Sequence, residues 1–244
     1  MARRRESARH LPPARPGWHN RVVRILYHLP LSPYCRKVRL ALGEKRLQFE
    51  LMHERVWDRR PEFEAINPAC TVPVLQEETG LAIVDSSAIC EYLDEAYPDV
   101  SLFGPTLAER AEVRRLVAWF DYKFGLEVTA NLYGEKQLKR LLGHGHADGA
   151  VLRAGYANLK PHLEYLGWLA ESRDWLAGGN LSLADFAAAA HVSTLDFMGE
   201  IDWSRHPAVK DWYARLKSRP AFRPLLADKV SGLAAAPHYH DLDF

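Results

Sequence analysis

Hydrophobic and polar positions repeat with two different periods along this chain, and the change of period divides it. Val22-Val23-Arg24-Ile25-Leu26-Tyr27 is rich in strand formers and ends at a turn containing Pro30. Residues 34–45 carry apolar side chains at Val38, Leu40, Ala41 and Leu42, with Gly43 near the end. That spacing predicts a helix of about three turns, buried on one side. Residues 47–53 alternate imperfectly and predict a second strand, parallel to the first if the helix is a crossover. A short helix at 61–66 closes on Asn67-Pro68. Val72-Pro73-Val74-Leu75-Gln76 and Leu81-Ala82-Ile83-Val84 flank Glu77-Glu78-Thr79-Gly80 as a hairpin, and Asp85-Ser86 opens a helix to residue 97. The order is that of a thioredoxin-like domain over 22–98.

Residues 99–105 read as an interdomain linker, and behind them the strand pattern stops. Helices are expected at 107–133 and at 148–171, the second with Pro161 as a kink. Another opens at Ser182-Leu183-Ala184-Asp185, a capping box in which hydroxyl and carboxylate satisfy orphan N–H groups reciprocally. Shorter helices follow at 207–218 and 221–226. The expected fold class is α/β plus all-α: a thioredoxin-like domain, then a helical domain over 106–230. Residues 231–244 read as a tail. At the other end, 1–21 carries Arg3, Arg4, Arg5, Arg9 and Arg15 without an apolar segment, which reads as a disordered basic extension and not a secretory signal.

Composition narrows the function classes. With 244 residues, 48% hydrophobic and 26% charged, the chain can bury a substantial core. A formal net charge of +1 gives no general attraction to nucleic acid. No apolar run reaches the roughly 18 residues of a membrane span, and a cytoplasmic protein is expected. Cys35, Cys70 and Cys90 form neither a Cys-x-x-Cys pair nor a disulfide framework, and their spacing does not fit zinc. His144 and His146 lie in a Gly-His-Gly-His connection, read as a loop and not a metal site. No metal is expected.

The chemistry concentrates in Ser32-Pro33-Tyr34-Cys35-Arg36-Lys37-Val38-Arg39, a thiol–disulfide active-site turn with serine in the first cysteine position. Without a sulfur at residue 32, Cys35 cannot close a disulfide there. Taken with Val72-Pro73, with Asp85-Ser86 before a helix, and with the Ser182 capping box in a helical second domain, this turn resembles the glutathione S-transferase superfamily over 22–226. The resemblance implies a glutathione site. In it Ser32 would donate to the thiolate, a cis Pro73 would leave the Val72 main chain free for the peptide-like ligand, and Asp85 and Ser86 would hold its γ-glutamyl end. Plain structural roles also fit, since serine and aspartate at these positions cap helices in any protein. Trp57, among Arg55, Arg59 and Arg60, is a ligand-pocket wall, a partner contact or domain packing. Trp119, Phe120, Tyr122 and Phe124 read mostly as core. His191 reads as a satisfied buried histidine, and Cys90 as core; Cys70 receives no role.

The end of the chain, Asp241, Leu242, Asp243 and Phe244, alternates acids with apolar anchors. It follows a small-residue stretch able to hold it away from the body. Together with the Ser32 turn it resembles the FtsZ-binding, transferase-like cell-division proteins of α-proteobacteria. That resemblance implies a non-catalytic homodimeric adaptor at the division site. It would bind FtsZ polymer through Asp241, Leu242, Asp243, Phe244 and Trp57, and regulate filament curvature and constriction. No cofactor is required on this reading. The alternative is a working glutathione transferase or isomerase with Ser32 as its catalytic residue and glutathione as its ligand.

Overall fold

The computed structural model describes residues 23–242. The basic extension expected at 1–21, and the tail residues Asp243 and Phe244, lie outside the described residues. The first domain is built from β1 (Ile25–His28), α1 (Pro33–Glu44), β2 (Glu50–His53), α2 (Pro61–Glu64), β3 (Val74–Gln76), β4 (Ala82–Val84) and α3 (Ser86–Ala96). Its sheet runs β2-β1-β3-β4. β1 lies parallel to β2 and antiparallel to β3, and β3 pairs antiparallel with β4. The crossover and hairpin expected from sequence are both present.

α1 departs from expectation. A helix buried on one side was predicted, yet between Pro33 and Leu42 every residue except Tyr34 is buried. Its basic side chains turn inward because each finds acceptors from the second domain. Lys37 pairs with Asp121, and Arg36 and Arg39 both reach Asp228. Buried cations are tolerated when paired and hydrogen-bonded, which hydropathy alone does not register.

In the helical domain, a capping box between Thr106 and Glu109 opens α4 (Leu107–Ala118). This helix continues through a π-helical segment (Trp119–Leu138) into α5 (Lys139–Leu141), so one rod spans 107–141. It outruns the predicted 107–133. The added turns are rich in helix formers, and Lys139 pairs with Glu135 one turn back at 2.9 Å. α6 (Gly149–Ser172) runs through Pro161, packed along that rod. A Cβ on Gly155 would stand 2.8 Å from Leu132, so the close approach of the two helices depends on glycine there. α7 (Leu183–Phe197) is buried at every position, its run of alanines admitting neighbours on all sides. α8 (Pro207–Lys217) and α9 (Arg223–Leu226) complete the domain.

One apolar cluster runs through both domains, from Leu26 and Val38 to Phe186 and Trp212. Within the expected linker, Leu102 and Phe103 are buried in that cluster, and the Leu183 N–H donates to the Leu102 carbonyl at 2.8 Å. The connection is part of the core. Among the described residues, no helix is long and apolar enough to cross a membrane.

Candidate functional site

A cleft of about 310 Å³ opens where the β1–α1 turn faces the long helix. Ser32, Tyr34, Trp57, Cys70 and Val72 line it from the first domain, and Gly125, Thr129 and Tyr133 from the second. The peptide before Pro73 is cis. Val72 lies outside the sheet ladder, whose β1–β3 register begins at Val74.

Ser32 is the N-cap of α1, its Oγ accepting from the Cys35 N–H at 3.4 Å, with Pro33 next in the helix. The Ser32 hydroxyl thus already carries the capping role that any such serine performs. Burial pushes the Cys35 thiol up to about 11, despite a hydrogen bond with Ser32. It stays protonated near neutral pH and is a poor nucleophile. Cys90 is pushed up by burial to about 12 in the core, as expected from sequence.

Asp85 caps α3, its Oδ1 accepting from the Ser87 N–H at 2.8 Å and the Ala88 N–H at 3.0 Å. Its φ of 77° is unusual for a side-chain-bearing residue. Ser86 is buried beside it. Neither lines the cleft, so of the predicted set the cleft brings together Ser32, Val72 and Trp57.

Beneath the cleft lies a polar layer joining the domains. Lys37 Nζ reaches Asp121 and the Ser87 hydroxyl, and Tyr34 donates to the Asp121 carbonyl at 3.0 Å. A Cβ at position 125 would come within 2.9 Å of that phenol oxygen, so Gly125 makes room for Tyr34. Burial opposes ionisation of Asp121, but the Lys37 ammonium overcomes it and holds the carboxyl below its ordinary range. His191 Nδ1 lies 2.7 Å from the Thr129 hydroxyl, and burial lowers the imidazole below its ordinary range against the pull of Asp121. Nε2 lies 3.7 Å from Asp121 Oδ1 and has no hydrogen-bond partner among the described residues, so the histidine is buried as the sequence indicated but only half satisfied.

Two domain profiles match the sequence: "Glutathione S-transferase, N-terminal domain" over 26–103 and "Glutathione S-transferase, C-terminal domain" over 149–215. FtsZ-localized protein A of Caulobacter vibrioides (strain NA1000 / CB15N) is 52% identical over 226 residues, covering 91% of this chain and 99% of that protein. The chain belongs to the glutathione S-transferase family.

Among solved structures of this family, a glutathione S-transferase from Rhodospirillum rubrum F11 matches with a TM-score of 0.89 at 54% identity. FzlA from C. crescentus matches with a TM-score of 0.88 at 52% identity. Each match covers 91% of this chain and 100% of the other. Human glutathione S-transferase omega-2 is 28% identical, over 84% of this chain and 80% of its own length.

On this transferase scaffold the C-terminal segment lies differently from expectation. The stretch read as holding the end away from the body instead docks on it. The Ala236 N–H donates to the Phe197 carbonyl at 2.8 Å, and His238 Nε2 lies 2.8 Å from Asp196 Oδ1. Tyr239 is fully buried against Phe197, and Lys217 donates to the Asp241 carbonyl at 2.5 Å. Of the tail residues in the predicted contact, Asp241 and Leu242 are described, and both are exposed. Sequence reasoning missed Arg36, Asp228 and Tyr239 as the elements fixing this segment. The signal available was an aromatic residue amid acids and small residues.

Trp57 occupies a short 3₁₀ turn (Val56–Asp58). Its indole Nε1 is buried without a hydrogen-bond partner among the described residues, and the Arg55 guanidinium sits 5.6 Å from the ring centroid. Of the aromatic run, Phe120 and Phe124 are core and Trp119 packs on Tyr165, while Tyr122 is 66% exposed.

Proposed function

We propose that this protein is a non-catalytic adaptor that binds FtsZ filaments and is recruited with them to the division site in the cytoplasm. The observation that carries the reading is 52% identity to FtsZ-localized protein A across nearly the full length of both chains. The contact would use the C-terminal end, Asp241, Leu242, Asp243 and Phe244, together with the neighbouring helical surface and Trp57. Apolar anchors would fill partner pockets while carboxylates steer the approach.

A homodimer would present two such ends. Exposed Tyr122 and Leu126, one turn apart on the long helix, and Leu81 in the hairpin supply apolar surface suited to self-association. Two linked weak contacts gain effective concentration, enough to bundle or curve neighbouring filaments and so promote constriction. No cofactor is needed for this role. Glutathione chemistry at Ser32 is the less favoured reading, because cap serines and aspartates explain the retained residues without a ligand.

Co-sedimentation with GTP-polymerised FtsZ tests the proposal. The native chain is expected in the pellet, and a chain lacking 241–244 in the supernatant. Pelleting that is unchanged by the truncation removes the tail contact. No pelleting of the native chain removes the adaptor.

A further inference from the structure

Beside the cleft, and sharing Trp57 and Tyr133 with it, lies a second cavity of about 450 Å³. Its walls come from the turn after β1, the end of β2, the end of the long helix and residues 229–231. Every charged side chain lining it is basic, Arg55, Arg140 and Lys229, with His53 beside them; the one other titratable lining group is the Tyr133 phenol. Glu50, three residues before His53 on β2, is exposed without an ion pair among the described residues, but the acids nearer the cavity are committed elsewhere. Asp228 is held by Arg39 through both oxygens, and Glu54 is paired with Arg60. Arg55 meets Asp58 at 3.3 Å, but both side chains are substantially exposed, so that pair is screened. Among the described residues Arg140 touches only neutral acceptors, Gln137 Oε1 and the Gly232 carbonyl. Lys229 has no carboxylate partner among the described residues.

A second observation leads to this cavity. β2 is an edge strand, and all four of its residues are exposed, including Leu51 at 43% and Met52 at 42%. The N–H groups of Glu50 and Glu54 donate inward to β1, to Arg24 and His28 carbonyls at 2.9 and 3.0 Å. Alternation along a strand then turns the N–H groups of Leu51 and His53 outward. Folds ordinarily blunt such an edge with charge, proline or a covering element. Here the edge ends at His53, on the rim of the basic cavity.

We propose that the β2 edge and the basic cavity together receive an extended acidic segment of a protein partner. The segment's main chain adds a strand beside β2, while its carboxylates meet Arg55, Arg140 and Lys229. Backbone pairing supplies register, and charge complementarity selects the acidic sequence. The proposal rests on the adaptor reading and names the kind of partner surface it would use.

Fluorescence anisotropy tests it, using the full chain and a short fluorescein-labelled peptide alternating aspartate with valine and phenylalanine. Saturable binding is expected. It should weaken by about tenfold or more in an Arg140→Glu/Lys229→Glu double variant and in Leu51→Pro, and vanish when lysine replaces aspartate in the peptide. Circular dichroism verifies that each variant folds. The exposed Arg140 and Lys229 carry the test should Leu51→Pro fail to fold. Equal binding by the charge-reversed chain, or no saturable binding by the native one, overturns the proposal. No FtsZ enters this titration. Pelleting with FtsZ alongside absent peptide binding defeats the acidic-segment site alone, whereas peptide binding without pelleting defeats the adaptor reading.

Discussion

Arg36 Nη1 donates to the phenolic oxygen of Tyr239 at 3.0 Å, tying the first helix to a residue 203 positions further along the chain. Both side chains are fully buried. Arg36 Nε also donates to the Pro30 carbonyl at 2.8 Å, and Nη1 to the Ser193 hydroxyl at 2.9 Å. Tyr239 passes its own proton toward the Leu225 carbonyl at 3.2 Å. The turn that carries Ser32 and the C-terminal segment thus share one guanidinium.

Replacing Tyr239 with phenylalanine leaves a buried guanidinium short of an acceptor. Tyr239→Phe is expected to lower the unfolding free energy by about 1–3 kcal/mol. Tyr239→Ala, which also empties aromatic volume from the cluster of Leu31, Tyr133 and Phe197, should cost about 3–5 kcal/mol. Urea titrations followed by tryptophan fluorescence measure both. A phenylalanine variant as stable as the native chain would show that the hydroxyl contributes nothing.

His28 gives the fold a defined acid sensitivity. Burial, reinforced by the Arg39 guanidinium, holds its imidazole down to about 4. An unfolded histidine titrates near about 6.5, so between these values the unfolded chain binds more protons. The contribution is complete above about pH 6.5 and is lost as pH falls toward about 4, amounting to at most about 3 kcal/mol. His28→Leu should therefore lose less stability than the native chain between pH 7 and pH 5. Parallel declines in urea midpoint would sink this assignment.

The serine in the turn can be tested by restoring the sulfur. Ser32→Cys places a thiol at the N-terminus of α1, where N–H groups and the helix dipole favour a thiolate facing Cys35. Diamide treatment of that variant is expected to remove two titratable thiols and to leave the native chain unchanged. Ellman titration in urea counts them. If the variant keeps all its thiols after diamide, the turn is not built on the thiol–disulfide plan.

Element types were readable because period and punctuation agreed: strand formers at Ile25, Leu26 and Tyr27, a serine before Pro33, a capping box at Ser182. The cleft was readable in outline through Ser32, Val72 and Trp57. What escaped were long-range charge pairings. Arg36, Lys37 and Arg39 look like a solvated helix face because their partners, Asp121 and Asp228, lie far along the chain and follow no local period. The docking of 231–241 escaped for a related reason. Alanine and proline suit a free linker and a close-fitting strap equally, and only Tyr239 separates the two.

The largest apolar cluster threads through both halves, so parting them would strip water-excluded surface from α1 and α7 together, and among the described residues the two halves move as one. On the adaptor reading proposed above, such a body would not follow a bending filament by flexing. Any compliance in the proposed assembly would then have to reside outside this body.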